Sequence, residues 1–204
     1  VLELCKLADI VFLATHGGVG EDGRLQAVLE FEKILYTGNG FFSTAMSMNK
    51  SISKKVVASN SLKVAREYDK ETALKNFPVI IKPNDSGSSV DIKIIKKESE
   101  FRKINQKDYL VEEFVKGREF SVGVLGKLVL PPIEIKIGEG IYDFDRKYVP
   151  NAIEEICPAN ISKSLSDRLM DVAREVHQKL EFEVYSRSDF IVNDNEEIYF
   201  IEAN

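Results

Sequence analysis

Between Ser164 and Leu180 the apolar residues Leu165, Leu169, Val172, Ala173, Val176 and Leu180 fall on one face of a 3.6-residue repeat, with polar and charged residues around the rest. A helix of this kind must bury that face against something broad. The neighbouring segments supply it, because 119–125 and 128–130 before the helix, and 186–192 and 197–202 after it, read as strands. The chain is thereby restricted to a mixed α/β layered core with antiparallel pairs in its second half. Ser164 with Asp167 resembles a capping box at the helix start. The polar turn Asn193-Asp194-Asn195 joins the last two strands into a hairpin.

The first half is built differently. Residues 9–14 read as a buried strand, followed by the string His16-Gly17-Gly18-Val19-Gly20-Glu21-Asp22-Gly23 and then by Leu25, Val28 and Leu29 at helical spacing. Six of the twelve glycines lie in the first 40 residues, so backbone freedom is concentrated in this strand–loop–helix unit. Tyr36 to Gly40 reads as a loop, and Ser43 to about Ala58 as one Lys-rich helix. Strands are expected at 77–83, 90–95 and 109–114, with a short polar helix over 96–105 and an irregular loop over 136–151.

Composition excludes several classes. With 204 residues, 44% of them hydrophobic, the chain can form a sizeable core. No apolar run approaches the ~18–20 residues that cross a bilayer, and no signal peptide is legible. A net charge of -5 with dispersed lysines argues against sequence-independent nucleic-acid binding. Cys5 and Cys157 form no metal-like pair and are expected as reduced core residues of a cytoplasmic protein. The chain opens without Met and stops directly after a strand-like run, so a piece of a longer protein is expected.

Three strings could carry chemistry. Arg187 and Asp189 share one face of their strand, and Glu202 and Asn204 share one face of its partner. If those faces coincide, an arginine, two carboxylates and a carboxamide oxygen converge, a donor set that suits Mg²⁺ beside phosphates; the alternative is a solvated hairpin with cross-strand charge pairs. Gly87-Ser88-Ser89, after a strand ending in Lys82, could present N–H groups and hydroxyls to a phosphate, or be a simple turn. Glu112 and Glu119 could accept from an adenine amino group or ribose hydroxyls with Phe114 as a wall, or flank an exposed turn. The glycine string places His16 and Glu21 where a small charged substrate could sit. His177 is expected to be structural.

Taken in order, these strings resemble the D-alanine–D-alanine ligase family of the ATP-grasp superfamily. The matching pieces are His16-Gly17 to Gly23, Gln26, Leu29-Glu30, Tyr36-Thr37-Gly38, Met48-Asn49-Lys50, Phe77 to Pro83 and Gly87 to Val90. They continue with Val111 to Phe114, Gly117-Arg118-Glu119, Tyr142-Asp143-Phe144, Lys147-Tyr148, Pro158-Ala159, Arg187 to Phe190 and Glu202-Ala203-Asn204. The resemblance implies an α/β (α+β) ATP-grasp fold, two lobes with antiparallel sheets sandwiching ATP. Residues 1–47 would be the remainder of an N-terminal α/β domain, 48–117 the small lobe and 118–204 the large lobe.

The resemblance also implies roles. Lys50 and Lys82 would contact the ATP phosphates, Glu112 the adenine amino group, Phe114 and Val115 the base as wall and backbone, and Glu119 the ribose. Asp189, Glu202 and Asn204 would hold two Mg²⁺ (or Mn²⁺) ions, and Arg187 would stabilise the acyl phosphate and the tetrahedral intermediate. His16 and Glu21 would lie near the first D-alanine. Ser88 with Tyr148 would close the active-site loop, and the Lys147-Tyr148 pair favours D-alanine over D-lactate as second substrate. The implied reaction is D-alanyl-D-alanine formation for peptidoglycan synthesis in the cytoplasm, with no nucleic-acid or membrane partner and a homodimer in the full-length protein. The rivals are another ATP-grasp carboxylate–amine ligase, D-alanine–D-lactate or D-serine ligases included, and an inactive nucleotide-binding remnant. Asn49 stands where aspartate is usual and Asp91 where glycine is. The spans 50–77 and 90–111 are shorter than the family leads one to expect.

Overall fold

The computed structural model describes residues 2–59, 62–85, 92–105, 109–137 and 153–204. Helix α1 (Leu2–Cys5), a 3-10 turn at Gly18–Gly20, α2 (Arg24–Phe31) and α3 (Phe41–Met48) form the first part. The strand expected at 9–14 reduces to a single parallel bridge between Val11 and Tyr36. A parallel strand is favoured where both faces are covered, and here Ile10 and Phe12 remain exposed. Helix α4 (Lys50–Ala58) is separate from α3. Asn49 between them adopts an extended backbone and its side chain accepts from the Ile52 N–H at 3.0 Å. The single helix expected from Ser43 to Ala58 is thus two, because the capping residue stops one and starts the next.

Then follow β1 (Lys63–Val64), α5 (Lys70–Ala73), β2 (Val79–Lys82), β3 (Lys93–Ile95), α6 (Glu98–Phe101), β4 (Leu110–Glu113), β5 (Arg118–Leu125), β6 (Leu128–Val129), β7 (Ile133–Ile137), β8 (Ile153–Ile156), α7 (Lys163–Lys179), β9 (Tyr185–Val192) and β10 (Ile198–Ala203). Among the described residues the larger sheet runs β1-β10-β9-β5-β7-β8, with β6 paired to β5; only β1 is parallel to its neighbour. The smaller sheet is β3-β2-β4, all antiparallel. Strand β8 has no counterpart in the sequence reading, since Ile153-Glu154-Glu155-Ile156 breaks strict alternation. The loop expected over 136–151 starts later, as Lys136 and Ile137 complete β7, and its remainder lies outside the described residues.

Helix α7 is capped by Ser162, whose hydroxyl accepts from the Leu165 N–H at 3.2 Å, and not by a box from Ser164. Its buried residues Leu165, Leu169, Ala173 and Val176 pack with Phe120, Val122, Phe190 and Phe200 of the larger sheet. Fully burying each such side chain is worth about 1.5–3 kcal/mol, so this layer is the main core. Val57 of α4 belongs to it as well. The smaller sheet has its own core of Val79, Ile81, Ile95, Val111 and Phe101, the last set edge-on to Phe77 at 6.0 Å. His177 is structural as expected, buried with Nδ1 2.8 Å from Ser186 Oγ. The cysteines depart from expectation. Both are free thiols, but Cys157 is exposed and Cys5 only half-buried, because neither lies on a core-facing position.

The segment between β4 and β5 joins the two sheets. At Gly117 an added Cβ would stand 2.3 Å from the Val192 carbonyl oxygen. Only glycine lets the chain pass this close to β9, which fixes where one sheet hands over to the other.

Candidate active site

Strand β9 lies between β5 and β10, so its outward side chains face those of both neighbours. Asp189 is opposite Ser121 on β5 and opposite Glu202 on β10. Simple alternation would have prevented the second pairing. Phe200 is opposite Phe190 on the core face, and Glu202, two residues on, should follow it there. The register shifts between Phe200 and Glu202, a bulge that takes in Ile201 and turns Glu202 to the side of Asp189. The next pair is closed by Arg187 N–H to Asn204 O and Asn204 N–H to Arg187 O, both at 2.8 Å. The faces therefore do coincide, and Arg187, Asp189, Glu202 and Asn204 meet on one side of the hairpin.

This corner carries surplus negative charge. Asp189 Oδ1 accepts from Ser121 Oγ at 2.6 Å, and its Oδ2 accepts from Arg187 Nη2 at 3.3 Å. Burial nevertheless pushes the Asp189 carboxyl above its usual range, and nearby Glu202 adds to the rise against the pull of Arg187. Glu119, two residues before Ser121 on the same face of β5, is pushed up to about 7 by burial, then by Asp189 and Glu202. Hard oxygen donors with uncompensated charge suit a divalent cation. Among the described residues no group of three or more His, Cys, Asp or Glu is arranged as a metal cage. Mg²⁺ does not require one, as it commonly binds through one or two carboxylates plus substrate phosphates.

Facing these acids are lysines. Lys50 Nζ, at the start of α4, lies 3.4 Å from Glu202 Oε2. The first turn of α4 is tied to the end of β2 by Lys50 N–H to Asn84 O and Ser51 N–H to Asn84 Oδ1, both 3.0 Å. Lys82 closes β2 and places Nζ 2.9 Å from Glu112 Oε2. Lys54, one turn after Lys50 on α4, pairs with Glu112 Oε1. All three members of the Lys54–Glu112–Lys82 cluster are buried, Glu112 to 1% exposure. Burial pulls Lys54 down to about 7, and Lys82 adds to the fall. Lys82 itself is raised: burial opposes, but Glu112 and Glu202 outweigh it. Glu112 is lowered, because the two lysines overcome the opposing effect of burial.

The glycine-rich string borders a second part of the site. His16 Nδ1 lies 3.1 Å from Glu21 Oε1. Gly23 has φ 86°, a left-handed conformation that glycine adopts without strain, and an added Cβ would meet Phe41 O at 2.6 Å. A cavity of about 200 Å³ is lined by Glu21, Gln26, Thr37, Asn39, Tyr185 and Asn204 among others. The loop holding Thr37 is fixed by Asn39, whose Nδ2 donates to Tyr185 O at 2.6 Å and whose Oδ1 accepts from Glu183 and Val184 N–H at 3.1 and 3.0 Å.

The structure thus groups Lys50, Lys82, Glu112, Glu119, Arg187, Asp189, Glu202 and Asn204 around the space between the sheets, with His16 and Glu21 paired beyond Asn204. Phe114 and Val115 lie half-buried where β4 leaves the small sheet. Ser88, Lys147 and Tyr148 lie outside the described residues. Sequence reasoning passed over Lys54, Ser121 and Asn39. Lys54 had a legible signal, since residues four apart share a helix face. Ser121 had one too, two residues from Glu119 on a strand; nothing local marked Asn39.

Two unequal, mainly antiparallel sheets, joined by a short segment and with lysines reaching acids on both, define the ATP-grasp fold. Residues 48–204 match the family described as "D-ala D-ala ligase C-terminus". The chain belongs to that family. It is 36% identical to the D-alanine–D-alanine ligase of Pediococcus pentosaceus, over 100% of this chain and 62% of that protein. It is 38% identical to that of Geotalea uraniireducens, over 96% of this chain and 68% of the relative. Among solved structures it is similar to the VanG D-Ala:D-Ser ligase from Enterococcus faecalis, with TM-score 0.85 and 28% identity, covering 97% of this chain and 63% of that one. It is likewise similar to the Bacillus anthracis D-alanine–D-alanine ligase complexed with ATP, with TM-score 0.82 and 28% identity, covering 100% and 70%. The chain spans 62% of the length of the Pediococcus relative.

Proposed function

We propose that the protein joins two D-alanines at the expense of ATP, in the cytoplasm, for peptidoglycan precursor synthesis. The observation that carries this reading is the bulged hairpin, which sets Asp189 beside Glu202 and Arg187 beside Asn204 within reach of Lys50. A carboxylate is a poor electrophile until one oxygen becomes a good leaving group, so phosphorylation by ATP precedes attack by the second amine. Lys50 and Lys82 hold the phosphates, Glu112 accepts from the adenine amino group, and Phe114 and Val115 border the base. Glu119 takes the ribose; its place among the acids also puts it close to the metal side. Asp189, Glu202 and Asn204 hold Mg²⁺, which when bound offsets the charge of the phosphates. Arg187 stabilises the negative charge that develops on the transferred group and on the tetrahedral carbon. His16 with Glu21 orients the first D-alanine in the cavity that Asn204 borders. The family resemblance alone gives Ser88 with Tyr148 the closing of the site against water that would hydrolyse the acyl phosphate, and the Lys147-Tyr148 pair a preference for D-alanine as second substrate.

The test is phosphate release from Mg-ATP with D-alanine, L-alanine, D-serine or D-lactate, with product masses recorded. Release together with a dialanine mass, dependent on D-alanine, is the expected result. A mixed D-alanyl-D-serine product would move the assignment toward the VanG-like reading. ATP binding without stimulation by any of the four would replace ligation with nucleotide binding alone.

A further inference from the structure

The Lys54–Glu112–Lys82 cluster contains one member without a part in the proposed chemistry. Lys54 leaves α4 one turn after Lys50, crosses to the small sheet and ends on Glu112 Oε1, with only 6% of its side chain exposed. Lys82 already supplies a countercharge at Oε2, 2.9 Å away. A second buried lysine is therefore unnecessary for neutralising Glu112, and burial, with Lys82 beside it, pulls its own pKa down to about 7. Buried ion pairs are weak stability devices, since apolar replacements of similar volume are often neutral or better, whereas losing one partner leaves an uncompensated buried charge. The arrangement does give Glu112 a fixed orientation. With one lysine Nζ at each oxygen the carboxylate is held from both sides, and each oxygen keeps a further lone pair for an incoming donor.

We propose that Lys54 is a positioning residue for Glu112, holding its carboxylate as an acceptor aimed into the cleft and so setting a preference for purines that carry a 6-amino group over those that carry a 6-oxo group. This rests on the reading that Glu112 faces the base. A fixed carboxylate accepts from a 6-amino donor and repels a 6-oxo acceptor. Removing Lys54 strips one of the two countercharges from a buried acid, which then rotates or takes up a proton, and a carboxylic O–H donates to a 6-oxo oxygen as readily as it accepts elsewhere.

The measurement is the ratio of dissociation constants for ITP and ATP, taken by calorimetry on the protein and on three variants. The unaltered protein should favour ATP by about tenfold or more, the discrimination a buried acceptor gives when its donor is missing. Lys54→Met should lower that ratio at least about fivefold, while Lys54→Arg, which keeps the charge, should hold it within about twofold. A merely structural lysine would weaken both nucleotides alike and leave the ratio unmoved. Glu112→Gln separates the two layers of the argument, because a carboxamide can offer its NH₂ to a 6-oxo group. If Glu112→Gln keeps the parental ratio, Glu112 does not face the base and the underlying reading fails. If it shifts the ratio and Lys54→Met does not, the role given to Lys54 is wrong. Should Lys54→Met not fold, Lys54→Gln, neutral but still a donor, takes its place with the same expected fall and the same contrary outcome.

Discussion

At the scale of single residues, Arg187 and His177 show how similar-looking polar positions divide between chemistry and packing. Arg187 lies half exposed at the mouth of the acid cluster, 3.3 Å from Asp189. Arg187→Ala should lower phosphate release on the order of 100-fold or more, the size of effect seen when a donor to developing negative charge is lost. The dissociation constant for ATP should move by less than about threefold, so that turnover and calorimetry together decide the assignment. Near-parental turnover would remove Arg187 from the mechanism. His177 is lowered by burial alone. A base with a depressed folded value contributes stability that is complete above its unfolded pKa and is lost as pH falls through the folded one. Below pH 6.5 the unaltered protein should therefore lose stability with a slope of up to about 1.4 kcal/mol per pH unit from this group. The difference in Tm between pH 7.5 and 5 should shrink in His177→Gln; an unchanged difference would mean that His177 is solvated.

At the scale of elements, the hairpin was legible and its decisive feature was not. Alternation placed β9 and β10 correctly, and the long helix was evident from its apolar stripe. The extra residue at Ile201 leaves no mark in the sequence, because Ile201 suits a regular strand as well as a bulged one. Spacing alone left a solvated hairpin open and only the family resemblance gave these residues their roles; the register that brings them together could be seen only in the ladder. The strand at 9–14 failed for the opposite reason: its composition is right, but no described layer covers it. Deleting Ile201 would bring Glu202 directly after Phe200, where plain alternation already turns it to the side of Asp189 without a bulge. That variant should therefore keep measurable phosphate release with a shift in Tm, and Ile201→Val should keep activity and cost less than about 1.5 kcal/mol. Loss of release in the deletion would show that the side on which Glu202 stands is not enough and that the bulge geometry itself sets the site.

At the scale of the whole molecule, the first part is joined to the larger sheet through Asn39. Its three hydrogen bonds connect a loop near the N-terminal helices to the approach of β9, across more than 140 residues of sequence. Nothing in local pattern could announce such a partner, which is why that residue passed unnoticed while Tyr36-Thr37-Gly38 beside it did not. Asn39→Ala should cost about 2–4 kcal/mol, because buried N–H and C=O groups lose partners that water does not replace. Thermal unfolding would show it, and the KM for D-alanine should rise more than that for ATP, since the cavity near Glu21 loses a wall. Equal changes in both would mean that the loop does not shape the amino-acid side.

Helix α4 also works as a ruler. Lys50 and Lys54 are one turn apart, so their Cα atoms are separated by about 6 Å along the axis. One is tethered to Glu202 on the larger sheet and the other to Glu112 on the smaller sheet. The span between those two acids is thus measured out in helical rise, with the reach of a lysine chain added at each. A single residue inserted between the two lysines would lengthen it by about 1.5 Å and swing one tether round by about 100°.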